Sequence, residues 1–179
     1  MTQSQLIQEL IHLSEKIQQD AKATQQISLE KLTQRPSPHA WNALECFEHL
    51  NMYIDIYNRF FEEALKSAPK QFKDKEIKRG YWGNKFINWM KPTQGGIKKM
   101  NTFKSKNPIH APLNKEVIQH FISSNEKTIH FLKESKTKDI QKAKCKLAIP
   151  LLKLKLSDAF NFLISHNQRH MLQISRATK

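Results

Sequence analysis

Apolar residues recur at helical spacing in four separate stretches of the chain. From about Ser4 to Gln26, Leu6, Leu10, Leu13 and Ile17 mark a single stripe. From about Asn42 to Lys66 the stripe is Leu44, Phe47, Leu50, Ile54, Phe61 and Leu65. From about Asn114 to Ser135 it is Val117, Phe121, Ile122, Ile129 and Leu132, and a fourth segment runs from Ser157 to about Ala177. Two of the starts carry their own signal. Asn42 followed three residues later by Glu45 is a capping-box pattern, in which the Asn side chain accepts from a free N–H and the Glu reaches back. Pro36 and Pro38 keep the chain extended just before it. Ser157 suits an N-cap, with Asp158 at the positive end of the helix that follows. Helices with one apolar stripe each can bury it only against one another, so the pattern predicts an all-α four-helix bundle.

The connection over 67–113 is long for a compact domain and should contain structure of its own. Within it, "GYWGNKFINWM" predicts a short helix, broken by Pro92 and by "QGG" at 94–96. Tyr81, Trp82, Phe86 and Trp89 are expected to pin this insertion to one end of the bundle; stacking of bases is the alternative. The length, 179 residues, fits one domain spanning 1–179, and only four glycines and seven prolines interrupt it. Helical patterning starts at once, with no charged-then-apolar leader. The longest apolar run, "LAIPLL", is far too short for a bilayer span. Cys46 and Cys145 belong to no paired motif. A soluble, cytoplasmic protein with no membrane partner is the expectation.

Net charge changes the picture in one respect. The formal value is +14, but residues 66–106 hold twelve Lys or Arg against Asp74 and Glu76, and residues 133–155 hold eight Lys against Glu134 and Asp139. The excess therefore sits in two connecting segments and not on the helices. Solvated lysine-rich loops account for it, and an anion-favouring lid or a polynucleotide surface is the sharper alternative. No helix-turn-helix, zinc-finger or ribonucleoprotein motif accompanies it, so nucleic acid ranks behind a small-molecule partner.

The candidate chemistry lies in "HNQRHMLQI", residues 166–174. Positions four apart nearly eclipse on a helix, so His166 and His170 share one face with Phe162, Leu163, Gln173 and Ile174. They are either core histidines with hydrogen-bond partners or two ligands of one metal. Of the six other histidines, His39 and His110 sit among prolines, His120 and His130 fall on different faces, and His12 lies off its leucine stripe. His49, two turns into the second helix beside Leu50, is the best third imidazole across the bundle. Three imidazoles suit a divalent transition metal, Zn2+ or Ni2+. Asn167 stands where a zincin would carry its glutamate. Three protein ligands would leave the metal able to bind a reactant, either water for hydrolysis or a thiol for transfer.

"RPSPHAWNALECFEHL", followed far downstream by "LSDAFNFLISHNQRHMLQI", resembles the DinB/YfiT-like superfamily of metal-dependent enzymes. The shared features are a proline-bearing approach to a Trp-Asn helix start, E-x-x-x-His-Leu, and H-x-x-R-H-x-x-Q. They cover the second and fourth helices well and 67–155 hardly at all. The resemblance implies a four-helix bundle with a long crossover between the second and third helices. It implies a metal on His49, His166 and His170 with open positions, and it makes a homodimer a reasonable expectation. Some such relatives are thiol transferases, which favours a transferase acting with a low-molecular-weight thiol over a hydrolase. Glu45 and Tyr53, four before and four after His49, are candidate catalytic groups, with a helix cap as the other role for Glu45 and ordinary bundle packing for Tyr53. Gln173 is a candidate to orient His170. Arg169 falls one position off the histidine face and is expected to point elsewhere.

Overall fold

The computed structural model describes residues 1–71, 73–90, 102–149 and 151–179. In chain order the described helices are α1 (Gln3–Gln25), the short α2 (Leu29–Thr33), α3 (Ala43–Ser67), α4 (Tyr81–Met90), α5 (Glu116–Glu134) and α6 (Leu156–Ala177). A small antiparallel hairpin, β1 (Lys144–Lys146) with β2 (Lys153–Lys155), leads into α6. The four long helices match the four apolar stripes, and among the described residues the fold is all-α apart from that hairpin. Asn42 and Glu45 make the expected capping box, and Thr2 with Gln5 makes a second one at α1.

The start of α6 departs from expectation. The helix begins at Leu156, and Ser157 lies inside it, with no side-chain cap at Lys155. The hairpin explains this. The Leu156 and Ser157 N–H groups donate to the carbonyls of Ala143 and Ile140 at 2.9 and 3.1 Å. With backbone already supplying the acceptors, no capping side chain is needed. Asp158 is released to accept from Gly80 N–H at 3.0 Å, just before α4.

Each of α5 and α6 packs against both α1 and α3, so α1 and α3 sit on opposite corners of the bundle. Side-chain hydrogen bonds give the directions. Asn51 donates to Val117 O and Asn58 to Ser124 O, so positions on α3 and α5 rise together and these helices are parallel. Asn125 bonds to Ser14 while Gln25 bonds to Gln119, so α1 and α5 are antiparallel. Tyr57 meets Phe162 and His49 meets His170, so α3 and α6 are antiparallel too. Between them lies a core that includes Phe47 against Phe121 and Phe61 against Phe160, with ring centroids 5.5 and 4.2 Å apart.

Parallel α3 and α5 require a connection that returns along the bundle. It is the long crossover that the resemblance implies. Its first part is pinned to the chain start by Gln3 N–H on Lys75 O and Ile77 N–H on Met1 O, and to the segment after α5 by Asp139 N–H on Pro69 O. It then forms α4, inside the stretch predicted for a short helix; Pro92 and "QGG" lie outside the described residues. α4 docks on α6 through Gly83, Ile87 and Met90, which are buried, whereas Tyr81, Trp82 and Trp89 are exposed and Phe86 is half-buried. The aromatics therefore do not jointly pin the insertion. The face that carries glycine docks, because only there can the two helices approach closely.

Among the described residues no helix is long and apolar enough to cross a membrane. Cys46 and Cys145 are buried and unpaired.

The close approach is testable. A Cβ built on Gly83 would lie 2.2 Å from Asp158 Oδ2 and 2.7 Å from Asp158 Cβ. Gly83→Ala should lower stability by about 1–3 kcal/mol in urea unfolding. Part of that loss should be recovered in the Gly83→Ala, Asp158→Gly double variant, which removes every Asp158 side-chain atom in the way, as coupling between touching residues requires.

Candidate metal centre

α3 and α6 run antiparallel, which brings the second turn of α3 against the middle of α6. That crossing places His49 opposite His166 and His170. All three are buried, and their ligand-capable nitrogens lie within 4.8 Å of one another. The Nε2 atoms of His49 and His166 are 3.3 Å apart. The three side chains can thus hold a metal ion.

Hydrogen bonds behind the rings set which nitrogen faces inward. His49 Nδ1 is 2.8 Å from Lys106 O, and a carbonyl can only accept, so Nδ1 carries the proton and Nε2 is left as a lone pair. His170 Nδ1 lies 3.0 Å from Gln173 Oε1, which imposes the same tautomer there and gives Gln173 the orienting position expected of it. The ring of Phe162 lies nearly parallel to that of His166, at 8°.

Electrostatics agree with a set of neutral donors. Burial lowers the pKa of His49 to about 4 and of His170 to about 3. His166 is pressed well below its ordinary value, first by burial and then by its two histidine neighbours. At neutral pH all three are uncharged bases, the form a divalent ion takes up.

The cluster lies in the wall of a cavity of about 770 Å³, a size that accommodates a small organic ligand. Tyr53 also lines the cavity, with its ring centroid 5.0 Å from those of both His49 and His166. Burial raises its pKa, so the hydroxyl stays protonated. Glu45 is elsewhere. Its carboxylate accepts from both Arg35 guanidinium nitrogens, from Asn42 N–H at 3.0 Å and from His110 N–H. That set of partners commits it to the helix cap and to an ion pair, away from the histidine nitrogens.

Two wall residues stand in the motifs shared with the family but were given no role in the site from sequence. Trp41 sits 4.7 Å from the His49 ring and 6.0 Å from the His170 ring, and its indole N–H donates to Asn107 at 2.9 Å. Arg169, expected to point away, lines the cavity and is buried. A cavity wall is wider than the one-residue stripe that defines a ligand pair, so a residue next to the histidine face can still reach it. The 102–110 part of the crossover also belongs to the site, since it supplies the Lys106 carbonyl and Asn107.

The family model for the DinB superfamily matches residues 12–174 of the chain. Neither a curated protein nor a solved structure matches it.

The depressed histidines fix a pH response for metal-free protein. Between the folded values near 3 to 4 and the ordinary value near 6.5, the unfolded chain binds more protons than the folded one. The stabilisation is complete above about pH 6.5 and is lost as pH falls toward the folded values, by roughly 3 kcal/mol for His49 alone. Urea unfolding of chelator-treated protein at pH 7.5, 6 and 5 should show this decline, and His170→Gln should flatten it.

Proposed function

The chain belongs to the DinB superfamily, and from that premise we propose that it is a zinc-dependent enzyme joining a low-molecular-weight thiol to a small electrophilic substrate. The observation carrying this reading is the donor set: three neutral imidazoles converge in a cavity whose described lining holds no carboxylate. His49, His166 and His170 would hold the ion. When bound, it supplies Lewis acidity and favours the thiolate form of a thiol at neutral pH.

The absence of an aspartate or glutamate among the described lining residues favours a thiol over water as the nucleophile. Hydrolysis commonly draws on a general base within hydrogen-bond reach of the attacking water. A thiol that has already lost its proton needs none. Zinc is preferred to nickel because it accepts imidazole and thiolate together in a flexible geometry.

The other residues bind, orient and exclude water. Lys106 O and Gln173 keep the imidazole lone pairs directed inward. Trp41 and Phe162 shield the rings they lie against. Tyr53, held protonated, would donate a hydrogen bond to the atom of the electrophile that gains charge during attack. Two buried unpaired cysteines suit a reducing compartment, and the cytoplasm is the location proposed.

Elemental analysis of protein purified without an affinity tag tests the ligand set. About one zinc per chain is expected. His49→Ala and His170→Ala should each lose most of it, and Gln173→Leu should weaken affinity about 10–100-fold. Full zinc content in both histidine variants would overturn the assignment. With zinc in place, consumption of a model electrophile should require added thiol; turnover independent of thiol would identify a hydrolase instead. Tyr53→Phe should keep its zinc and lose about 10²–10⁴-fold in kcat.

A further inference from the structure

The cavity is one-sided in charge. Its described lining includes two guanidinium groups, Arg169 and Arg176, four imidazoles, and neither aspartate nor glutamate. Arg169 is only 5 % exposed and directly precedes His170 on α6, so its charge is carried beside the histidine cluster. Arg176 follows seven residues later on α6. Seven residues turn the helix through almost two full revolutions and advance it about 10 Å. The two arginines therefore form a ladder on one face, Arg169 deep and Arg176 exposed. Lys106 adds a third positive group beside this space, its ammonium 6.0 Å from the Tyr53 ring centroid. The rest of the wall is largely apolar, with Trp41, Phe86, Trp89, Met90 and Phe162.

We infer that the cavity takes an amphipathic anion, with a carboxylate, phosphate or sulfonate paired to Arg169 and a flat apolar body against Trp41, Phe86 and Phe162. A guanidinium presents donors in a planar fork that matches such oxyanions. Arg169 lines the cavity at low exposure, where a charged hydrogen bond is screened least. The exposed Arg176 draws the anion in, and Arg169 fixes it. The inference deepens the proposed function and rests on it for which end of the ligand would react. The anion subsite itself is built from α6 and does not depend on an ion being bound.

Isothermal titration of the whole protein with 2-naphthoate, 2-naphthyl phosphate and the neutral 2-naphthamide tests it, on chelator-treated and on zinc-loaded samples. Chelator-treated wild type should bind the better of the two anions at least about tenfold more tightly than the amide. The tighter anion identifies the head group. Arg169→Gln should abolish that preference while leaving amide affinity within about threefold, and Arg169→Lys should restore part of it. Arg176→Gln should weaken anion binding a few-fold at low salt, an effect that fades as salt is raised. Equal affinity of wild type for anions and amide would overturn the inference, as would an unchanged preference in Arg169→Gln. Should Arg169→Gln fail to fold, unchanged anion affinity in Arg176→Gln at low salt would overturn it.

Zinc content measured on the same samples separates the two readings. Full zinc in His49→Ala and His170→Ala with the anion preference intact would end the proposed metal chemistry and leave the anion site standing. Normal zinc with no anion preference would do the reverse.

Discussion

Three imidazoles buried together give up their hydration and gain no opposite charge from one another. They remain directed at a common point because two of them are tethered from behind. The tether on His170 is local, from Gln173 one turn further along the same helix. The tether on His49 is remote, the carbonyl of Lys106 in the crossover. The crossover segment is therefore part of the site, and it must be held in place for His49 to present the correct nitrogen. Glu45 supplies much of that hold. One buried carboxylate closes the cap of α3, pairs with Arg35 in the approaching strand of chain, and accepts from His110 N–H in the crossover. Trp41 adds a second link through Asn107 while its ring covers His49 and His170. Removing Glu45 would thus loosen the site without touching it.

Helix direction explains why this arrangement arises. α3 uses one side for a polar seam with α5, where Asn51, Asn58 and Thr128 bond side chain to backbone or to each other. Those pairs demand a specific register and orientation, and their parallel sense forces the chain to travel back along the bundle before α5 can begin. Another side of α3, with His49, Tyr53 and Tyr57, faces the antiparallel α6. The long return is what makes crossover residues available above this second seam. Loop length and ligand geometry are consequences of one packing choice.

The four long helices were legible because each carries a single stripe and the capping box at Asn42 is local chemistry. His166 and His170 were legible for the same reason, since their spacing on one helix is a property of five consecutive residues. His49 needed a cross-helix argument that periodicity supports only weakly, and the family resemblance strengthened it. What stayed hidden depends on tertiary contact. The first turn of α6 takes its hydrogen-bond acceptors from residues 140 and 143, so Ser157 looked like a cap it did not need to be. The docking face of α4 follows from the space left by Gly83 against Asp158, which no pattern of aromatics reveals. Arg169 looked misplaced by one position because a stripe one residue wide is narrower than the cavity it borders.

α6 is where local and global demands conflict most. Between Ser157 and His170 it buries Asp158, Asn161, Ser165, His166, Asn167, Arg169 and His170, a run of polar groups that a stability-driven core would replace with leucine and isoleucine. Some are satisfied, as Asp158 is by Gly80. Asn167 is fully buried, and neither of its side-chain polar atoms finds a partner among the described residues. Such groups lower stability unless they serve something else. The apolar stripe of the same helix, through Phe160, Leu163, Ile164 and Ile174, is buried in the core. The polar face lies beside that stripe and adds no apolar contact to it. Its histidines, arginine and glutamine all open into or support the same cavity, which is the physical ground for giving this helix, with His49 and Tyr53 of α3 opposite it, the leading part in the proposed chemistry.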